Sequence, residues 1–82
     1  EALVLKNALQ KAEVMIKSDE KNTKNIIRRM RAIIESVPSA EIDYIKIVNP
    51  QNLQDVKIIK GMVLIALAVR IGQTRLIDNV MI

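Results

Sequence analysis

The residues that could carry chemistry in this sequence are few, and the two most versatile types are missing. The 82 residues include no histidine and no cysteine, which removes the commonest general base, the thiol nucleophile and the zinc thiolate. The serines and threonines therefore have no imidazole to activate them. The nine carboxylates are scattered, and no two have the spacing of a paired acid and base. We predict no catalytic residue, no cofactor-binding residue and no metal ligand in this chain.

Positive charge is the other feature with a chemical use. The chain contains thirteen lysines and arginines and nine acidic residues, which gives a formal net charge of +4. This excess suggests phosphate or an acidic surface as a partner. One segment carries five of these cations: Lys21, Lys24, Arg28, Arg29 and Arg31. A solvated helix surface is the simpler explanation for them, and the single aromatic residue, Tyr44, is too small a platform for stacking bases. We expect neither nucleic acid nor a membrane as a partner.

Two amphipathic helices are predicted in the first half of the chain. Between Ala2 and Lys17 apolar residues recur every three or four positions, which is the period of an α-helix. A polar break follows, in which Asn22 or Thr23 is expected to cap the second helix. The second apolar stripe consists of Ile26, Ile27, Met30, Ile33, Ile34 and Val37. Pro38 is expected to end this helix, because proline disfavours helical backbone in the residue before it.

The pattern becomes extended after Pro38. The segment Ile42–Val48 is rich in β-branched residues and is predicted to be a strand. The apolar run Met62–Ile71 could be a helix or a strand by periodicity. Its β-branched residues and the glycines on either side favour a strand, on which Ala66 and Ala68 leave room for close packing on one face.

A connection and a hairpin complete the predicted order. Residues 51–60 are read as a connection whose apolar residues contact the core, namely Leu53, Val56, Ile58 and Ile59. Gly72–Thr74 is predicted to be a three-residue hairpin loop before a last strand, Arg75–Ile82. Helices followed by strands indicate an α+β fold, with two amphipathic helices packed on a small three-stranded antiparallel sheet. Residues 1–82 form a single domain, since the chain is too short for two cores.

Asp78 is the most informative acidic residue. In an extended strand it points the same way as Leu76 and Val80, and away from Arg75. With a three-residue loop it would lie opposite Ala68. A carboxylate among apolar neighbours needs a hydrogen bond, and we predict that backbone amides or a neighbouring side chain supply it. A position at the edge of an active-site cleft is the alternative.

The last segment resembles a known family. Gly72–Asn79 reads G-Q-T-R-L-I-D-N, similar to the G-x-T-R-L-I-D-N ending of pantothenate synthetases (pantoate–β-alanine ligases). Asp43–Val48 resembles that family's D-Y-x-x-V-V strand, and Val63–Gly72 its A-V-x-x-G strand. The polar break at Ser18–Lys21 lacks the glycine common there. The matching residues, which we expect to be structural, are Asp43, Tyr44, Gly72, Thr74, Arg75, Asp78 and Asn79.

The resemblance implies an ATP-dependent ligase. In that family pantoate attacks the α-phosphate of ATP to give pantoyl adenylate and pyrophosphate, and β-alanine then displaces AMP to form pantothenate. The family's H-x-G-H and Ser-Ser-Arg-Asn motifs belong to an N-terminal nucleotide-binding domain, and neither occurs here. The chain is therefore expected to be the C-terminal, lid-like domain of a longer enzyme, inactive alone. The start at Glu1, with no initiator methionine, favours the same interpretation.

The resemblance also implies a setting for the parent enzyme. It would use ATP with Mg²⁺ in the cytoplasm, and would form a homodimer through the N-terminal domain. Two alternatives come from the residues alone. A freestanding basic module would bind nucleic acid through the helix carrying Arg28 and Arg31, with an affinity that falls steeply with salt. An interaction domain would instead pair through the edge of its sheet.

Overall fold

A computed structural model describes residues 3–82 and has the predicted α+β fold. The elements, in chain order, are helices α1 (Leu3–Lys17) and α2 (Thr23–Glu35) and strands β1 (Ala40–Val48), β2 (Leu64–Ile71) and β3 (Thr74–Met81). The strands form one antiparallel sheet in the order β1-β2-β3. Ala2, where the first helix was predicted to begin, lies outside the described residues. No helix within residues 3–82 is long and apolar enough to cross a membrane.

Helix α1 ends in a tight turn with an unusual residue at its centre. The amide of Glu20 donates to the carbonyl of Met15 (2.9 Å), and the amide of Asp19 donates to that of Ile16 (3.0 Å). This pattern of two bonds is a common way for a helix to end. The residue that donates the second bond then has a positive φ, a conformation that glycine adopts most easily. Here that residue is Asp19, with φ of 74°, in the polar break predicted between the two helices.

Helix α2 begins as predicted and ends earlier than predicted. Asn22 caps its start, and the Asn22 side-chain oxygen accepts from the amide of Lys24 at 3.0 Å. The helix stops at Glu35, and the Ser36 hydroxyl donates to the carbonyl of Ile33 at 2.6 Å. Val37 therefore lies in the turn after the helix, although it still packs against the core.

The hydrophobic core lies between the two helices and one face of the sheet. Alternate residues of β2 point towards the helices, since side chains of a strand alternate between its faces. The fully buried residues from both layers include Ile26, Met30, Ile34, Ile65, Leu67 and Val69. This packing confirms the helical stripe of α2 and the strand assignment of the Met62–Ile71 run, although β2 itself begins at Leu64.

The connection between β1 and β2 is held mainly by hydrogen bonds rather than by its apolar side chains. Ile59 is buried and Val56 half-buried, as predicted, but Leu53 and Ile58 are 65% and 50% exposed. The amide of Val56 donates to the carbonyl of Ile47 (3.0 Å), which covers part of the outer edge of β1. The amide of Ile59 donates to Lys21 in the break between the helices (2.8 Å). The expectation that Leu53 and Ile58 contact the core was wrong, because backbone bonds already fix this segment.

Candidate functional site

One face of the sheet is covered by helices and the other is not. We call the uncovered side the open face. The register of the strands and the burial of the alternate residues place on it Tyr44, Lys46, Leu64, Ala66, Ala68, Arg75, Ile77, Asn79 and Met81. Apolar side chains remain accessible there, with Ile77 58% and Met81 51% exposed. The open face is therefore the surface of this domain best suited to contact something else.

Two residues of the resemblance meet across the open face. Nε of Arg75 on β3 donates to Oδ2 of Asp43 on β1 at 2.8 Å, so the pair bridges the central strand. Asp43 reaches this position because the register between β1 and β2 shifts there, between Ile42 and Tyr44. Ala68, which the register places beside Tyr44, is fully buried, consistent with the close packing predicted for the alanine positions.

The electrostatic environment keeps Arg75 charged. The hydrogen bond that Arg75 donates to Asp43 raises the pKa of Arg75 above its ordinary value, desolvation opposes the rise, and the charges of Asp43 and Tyr44 add to it. Asp43 also offsets the like charge of Arg70, which lies directly opposite Arg75 on β2. The pair is a charged clamp between partly exposed side chains that links the two outer strands across β2.

The hairpin between β2 and β3 is one residue shorter than predicted. Thr74 pairs with Ile71 and begins β3, so the loop contains only Gly72 and Gln73. Gly72 has φ of 62°, which a two-residue hairpin turn requires and glycine supplies without strain. The shorter loop shifts the register, and Asp78 lies opposite Leu67 rather than Ala68.

The remaining residues of the motif divide between the two faces. Asp78 is half-buried on the helix side with Leu76 and Val80, as predicted. Its Oδ1 accepts from the backbone amide of Asn79 at 2.8 Å, so the carboxylate has the backbone partner expected for it. Asn79 itself projects from the open face. The motif is contiguous in sequence, but Asp78 lies on the helix side of the sheet and Arg75 on the open face. The two side chains therefore do not pair.

A cavity of about 750 Å³ lies between the start of α2 and β1. Three cations line it, Lys24, Lys46 and Lys57, which sequence analysis did not group because they are far apart in the chain. A helix start beside lysines suits an anion only if its amides are free. Here the amide of Thr23 donates to the carbonyl of Lys57 (3.1 Å), and that of Lys24 to the cap residue Asn22 (3.0 Å). These bonds argue against an anion site built on this helix terminus.

The described residues offer little for metal or acid–base chemistry. No group of three acidic, histidine or cysteine side chains between residues 3 and 82 could hold a metal ion. The basic cluster is exposed, and two of its members have acidic partners: Lys21 with Asp19 (2.9 Å) and Arg31 with Glu35 (3.8 Å). The cluster is thus a solvent-exposed surface around the start of α2 in which part of the positive charge is paired.

Comparisons with known proteins agree with one another. A family model described as pantoate-beta-alanine ligase matches residues 1–81. The pantothenate synthetase of Syntrophomonas wolfei is 48% identical over 82 residues, covering all of this chain and 29% of its own length. That of Desulfatibacillum aliphaticivorans is 46% identical over 79 residues, covering 96% of this chain and 28% of its own length. A crystal structure of pantothenate synthetase from Thermus thermophilus superposes with a TM-score of 0.84 and 26% identity, covering 94% of this chain and 28% of that one.

Proposed function

The chain belongs to the pantoate–β-alanine ligase family, and we propose that it forms the C-terminal lid domain of a longer pantothenate synthetase. The observation that carries the proposal is the match of residues 1–81 to the family, combined with the short span of that match. The chain spans less than a third of the length of the curated relatives it matches. The remainder of such an enzyme has room for the nucleotide-binding domain that this sequence lacks.

The proposed reaction of the parent enzyme has two steps. A carboxylate oxygen of pantoate attacks the α-phosphate of ATP and pyrophosphate leaves, which gives pantoyl adenylate. The amine of β-alanine then attacks the acyl carbon and AMP leaves, which gives pantothenate. The description of the matching family, pantoate-beta-alanine ligase, supports this substrate pair. We assign no catalytic residue to this chain, which has no histidine or cysteine, and we expect ATP and Mg²⁺ to be held by the other domain.

The proposed role of this domain is to exclude water from the adenylate. An acyl adenylate hydrolyses readily, so closing a domain over it protects the intermediate until the amine arrives. The open face supports this role, since its apolar residues Ile77 and Met81 are accessible while the helices cover the opposite side. We propose that the open face turns towards the rest of the enzyme, with the Arg75–Asp43 clamp holding the outer strands in place. Dimerisation through the N-terminal domain and a cytoplasmic setting are parts of the same proposal.

The test uses a chimera with the Syntrophomonas wolfei relative, in which this chain replaces the matching segment. The chimera is expected to make pantothenate from pantoate, β-alanine and ATP. The relative without that segment is expected to lose synthesis, or to release more AMP than pantothenate because unprotected adenylate is hydrolysed. A truncated relative that makes pantothenate as fast as the intact enzyme, with equal AMP, would contradict the lid role.

The isolated chain provides the second arm of this test. Mixed with pantoate, β-alanine, ATP and Mg²⁺, the 82-residue chain is expected to release no AMP. Release of AMP above the rate in a protein-free mixture would show that chemistry resides in this part of the enzyme, against the proposal.

A further inference from the structure

The cavity between the start of α2 and β1 has walls that are bonded to one another. Its third wall is the connection between β1 and β2, around Val56 and Lys57. Thr23 at the start of α2 donates to this connection twice, from its hydroxyl to the carbonyl of Val56 (2.7 Å) and from its amide to that of Lys57 (3.1 Å). The amide of Val56 donates in turn to the carbonyl of Ile47 on β1 (3.0 Å). The cavity is therefore pre-formed, as most sites for small molecules are, and its volume of about 750 Å³ is typical of them.

Much of the lining of this cavity is apolar. The buried residues Ile45 and Ile47 of β1 contribute to it, together with the half-buried residues Ile27 of α2 and Val56 of the connection. Ile58 also lines the cavity, and this large apolar residue is 50% exposed. Apolar side chains with a few polar groups among them are the usual lining of a ligand pocket. The cavity therefore suits a ligand with an apolar part.

The charged residues of the lining are mostly cations without an acidic partner in the described part of the chain. Lys24, Lys46 and Lys57 come from the three different walls, and Asp55 is the one carboxylate among the lining residues. The ion pairs found between residues 3 and 82 involve other cations, namely Lys17, Lys21, Arg31 and Arg75. The cavity thus has an excess of positive charge. Lysine side chains supply it, whereas the first amides of α2 are already bonded.

We infer that this cavity binds a small phosphate monoester that carries an apolar group. A phosphate monoester has nearly two negative charges at neutral pH and three strong acceptor oxygens, which complement three lysine side chains. Its apolar group would contact Ile58 and the neighbouring apolar residues of the lining. Inorganic phosphate lacks the apolar group and a neutral alcohol lacks the charge, so each complements only part of the cavity. The site is separate from the open face and goes beyond the proposed lid function.

The first test compares three probes by NMR titration of the 82-residue chain in a phosphate-free buffer. Phenyl phosphate is expected to bind with saturation and to shift the amide signals of Lys57 and Ile58. Inorganic phosphate is expected to bind at least about tenfold more weakly, because it buries no apolar group. Benzyl alcohol, which has the ring without the charge, is expected to cause no saturable shift. Failure of phenyl phosphate to saturate, or an equal affinity for inorganic phosphate, would overturn the inference.

The second test locates the charges. The double variant Lys24→Gln, Lys57→Gln removes two cations of the lining and is expected to weaken phenyl phosphate binding at least about fivefold. Both lysines are exposed, so the fold should tolerate the change. The matched control is Lys6→Gln, Lys11→Gln, which removes the same charge from helix α1, outside the cavity, and is expected to leave the affinity nearly unchanged. Equal weakening in the two double variants would mean general attraction to a basic protein and would refute the site.

The third test asks whether the cavity is accessible beside the rest of a longer enzyme. The chimera with the Syntrophomonas wolfei relative is titrated with phenyl phosphate, with and without the Lys24→Gln, Lys57→Gln change. The change is expected to weaken binding by the chimera as much as it weakens binding by the 82-residue chain. A chimera whose affinity does not respond to the change would mean that the rest of the enzyme fills the cavity, against the inference. Pantothenate and AMP report the lid role and the titration reports the cavity, so the two proposals can fail separately.

Discussion

Backbone conformation strains two single residues in this domain. Asp19 and Leu53 have φ values of 74° and 60°, in the left-handed region that side chains with a β-carbon disfavour. Asp19 closes helix α1, and its short polar side chain tolerates this conformation better than most. Leu53 is bulky and 65% exposed, and its amide donates to the carbonyl of Asn49 at 2.8 Å. Both conformations persist because surrounding backbone bonds impose them.

Replacing Asp19 by glycine is expected to stabilise the chain. Glycine adopts positive φ without the clash of a β-carbon, so we expect Asp19→Gly to raise the free energy of unfolding by about 0.5–1 kcal/mol. The ion pair that it removes, between Asp19 and Lys21, is exposed and contributes little. Urea unfolding measures the change, with Asp19→Ala as the control that keeps the β-carbon. A glycine variant no more stable than the alanine variant would refute the explanation.

At the scale of single residues, the sequence predicted which neighbours on its own strand share a face with Asp78, but not which residue lies opposite it on β2. Alternation placed Asp78 with Leu76 and Val80, because side chains alternate in any strand. The residue opposite it depends on the length of the hairpin loop. The predicted loop of three residues is one longer than the observed loop, which shifted the predicted pairing by one residue. The shifted pairing of Asp43, which lets it reach Arg75, leaves no signal in a single sequence.

The connection between β1 and β2 shows how one buried hydroxyl can organise an element. Thr23 is 6% exposed and is the buried polar residue of the described core. Its hydroxyl lies 2.7 Å from the carbonyl of Val56 and 3.1 Å from that of Lys57, so it ties the start of α2 to the connection. The segment that carries these carbonyls has no regular secondary structure between β1 and β2, and such backbone groups need partners when they approach the core.

Removal of this hydroxyl is expected to loosen the connection. Thr23→Val keeps the shape of the side chain but leaves the carbonyl of Val56 without its donor, so we expect a loss of about 1–2 kcal/mol in the free energy of unfolding. Amide exchange of Ile59, bonded to the break between the helices, should accelerate. Thr23→Ser retains the hydroxyl and is expected to lose less stability. A Thr23→Val variant as stable as the unaltered chain would mean that the hydroxyl does not hold the connection in place.

The helices and strands were predictable where the sequence pattern was typical of only one kind of secondary structure. The stripe of α2 and the β-branched content of Ile42–Val48 each pointed to one structure, and both were confirmed. The connection was predicted less well because its apolar residues suggested burial, whereas Leu53 and Ile58 are exposed. Hydrogen bonds between segments far apart in the chain fix it, and a sequence pattern does not display those partners.

At the scale of the whole molecule, the sheet is stabilised from one side. The helices cover one face, and the other retains Ile77 and Met81 at 58% and 51% exposure. The sequence predicted helices on a sheet, but β2 is apolar on both faces, so alternation alone did not identify the open side. That side became clear only when the register placed the exposed residues of β3 on the same face as Ala66 of β2 and Lys46 of β1. A domain with one core layer has little stability to spare, about 4–12 kcal/mol for this length.

This asymmetry predicts unequal responses to the same kind of truncation on the two faces. Leu67 on β2 is fully buried against the helices, so Leu67→Ala is expected to lower the free energy of unfolding by about 2–5 kcal/mol. Ile77 on the open face is mostly exposed, and Ile77→Ala is expected to change it by less than about 1 kcal/mol. Denaturant unfolding of the two variants compares the faces directly. A loss at Ile77 as large as that at Leu67 would mean that the open face is packed in solution, by a second copy or by a rearranged connection.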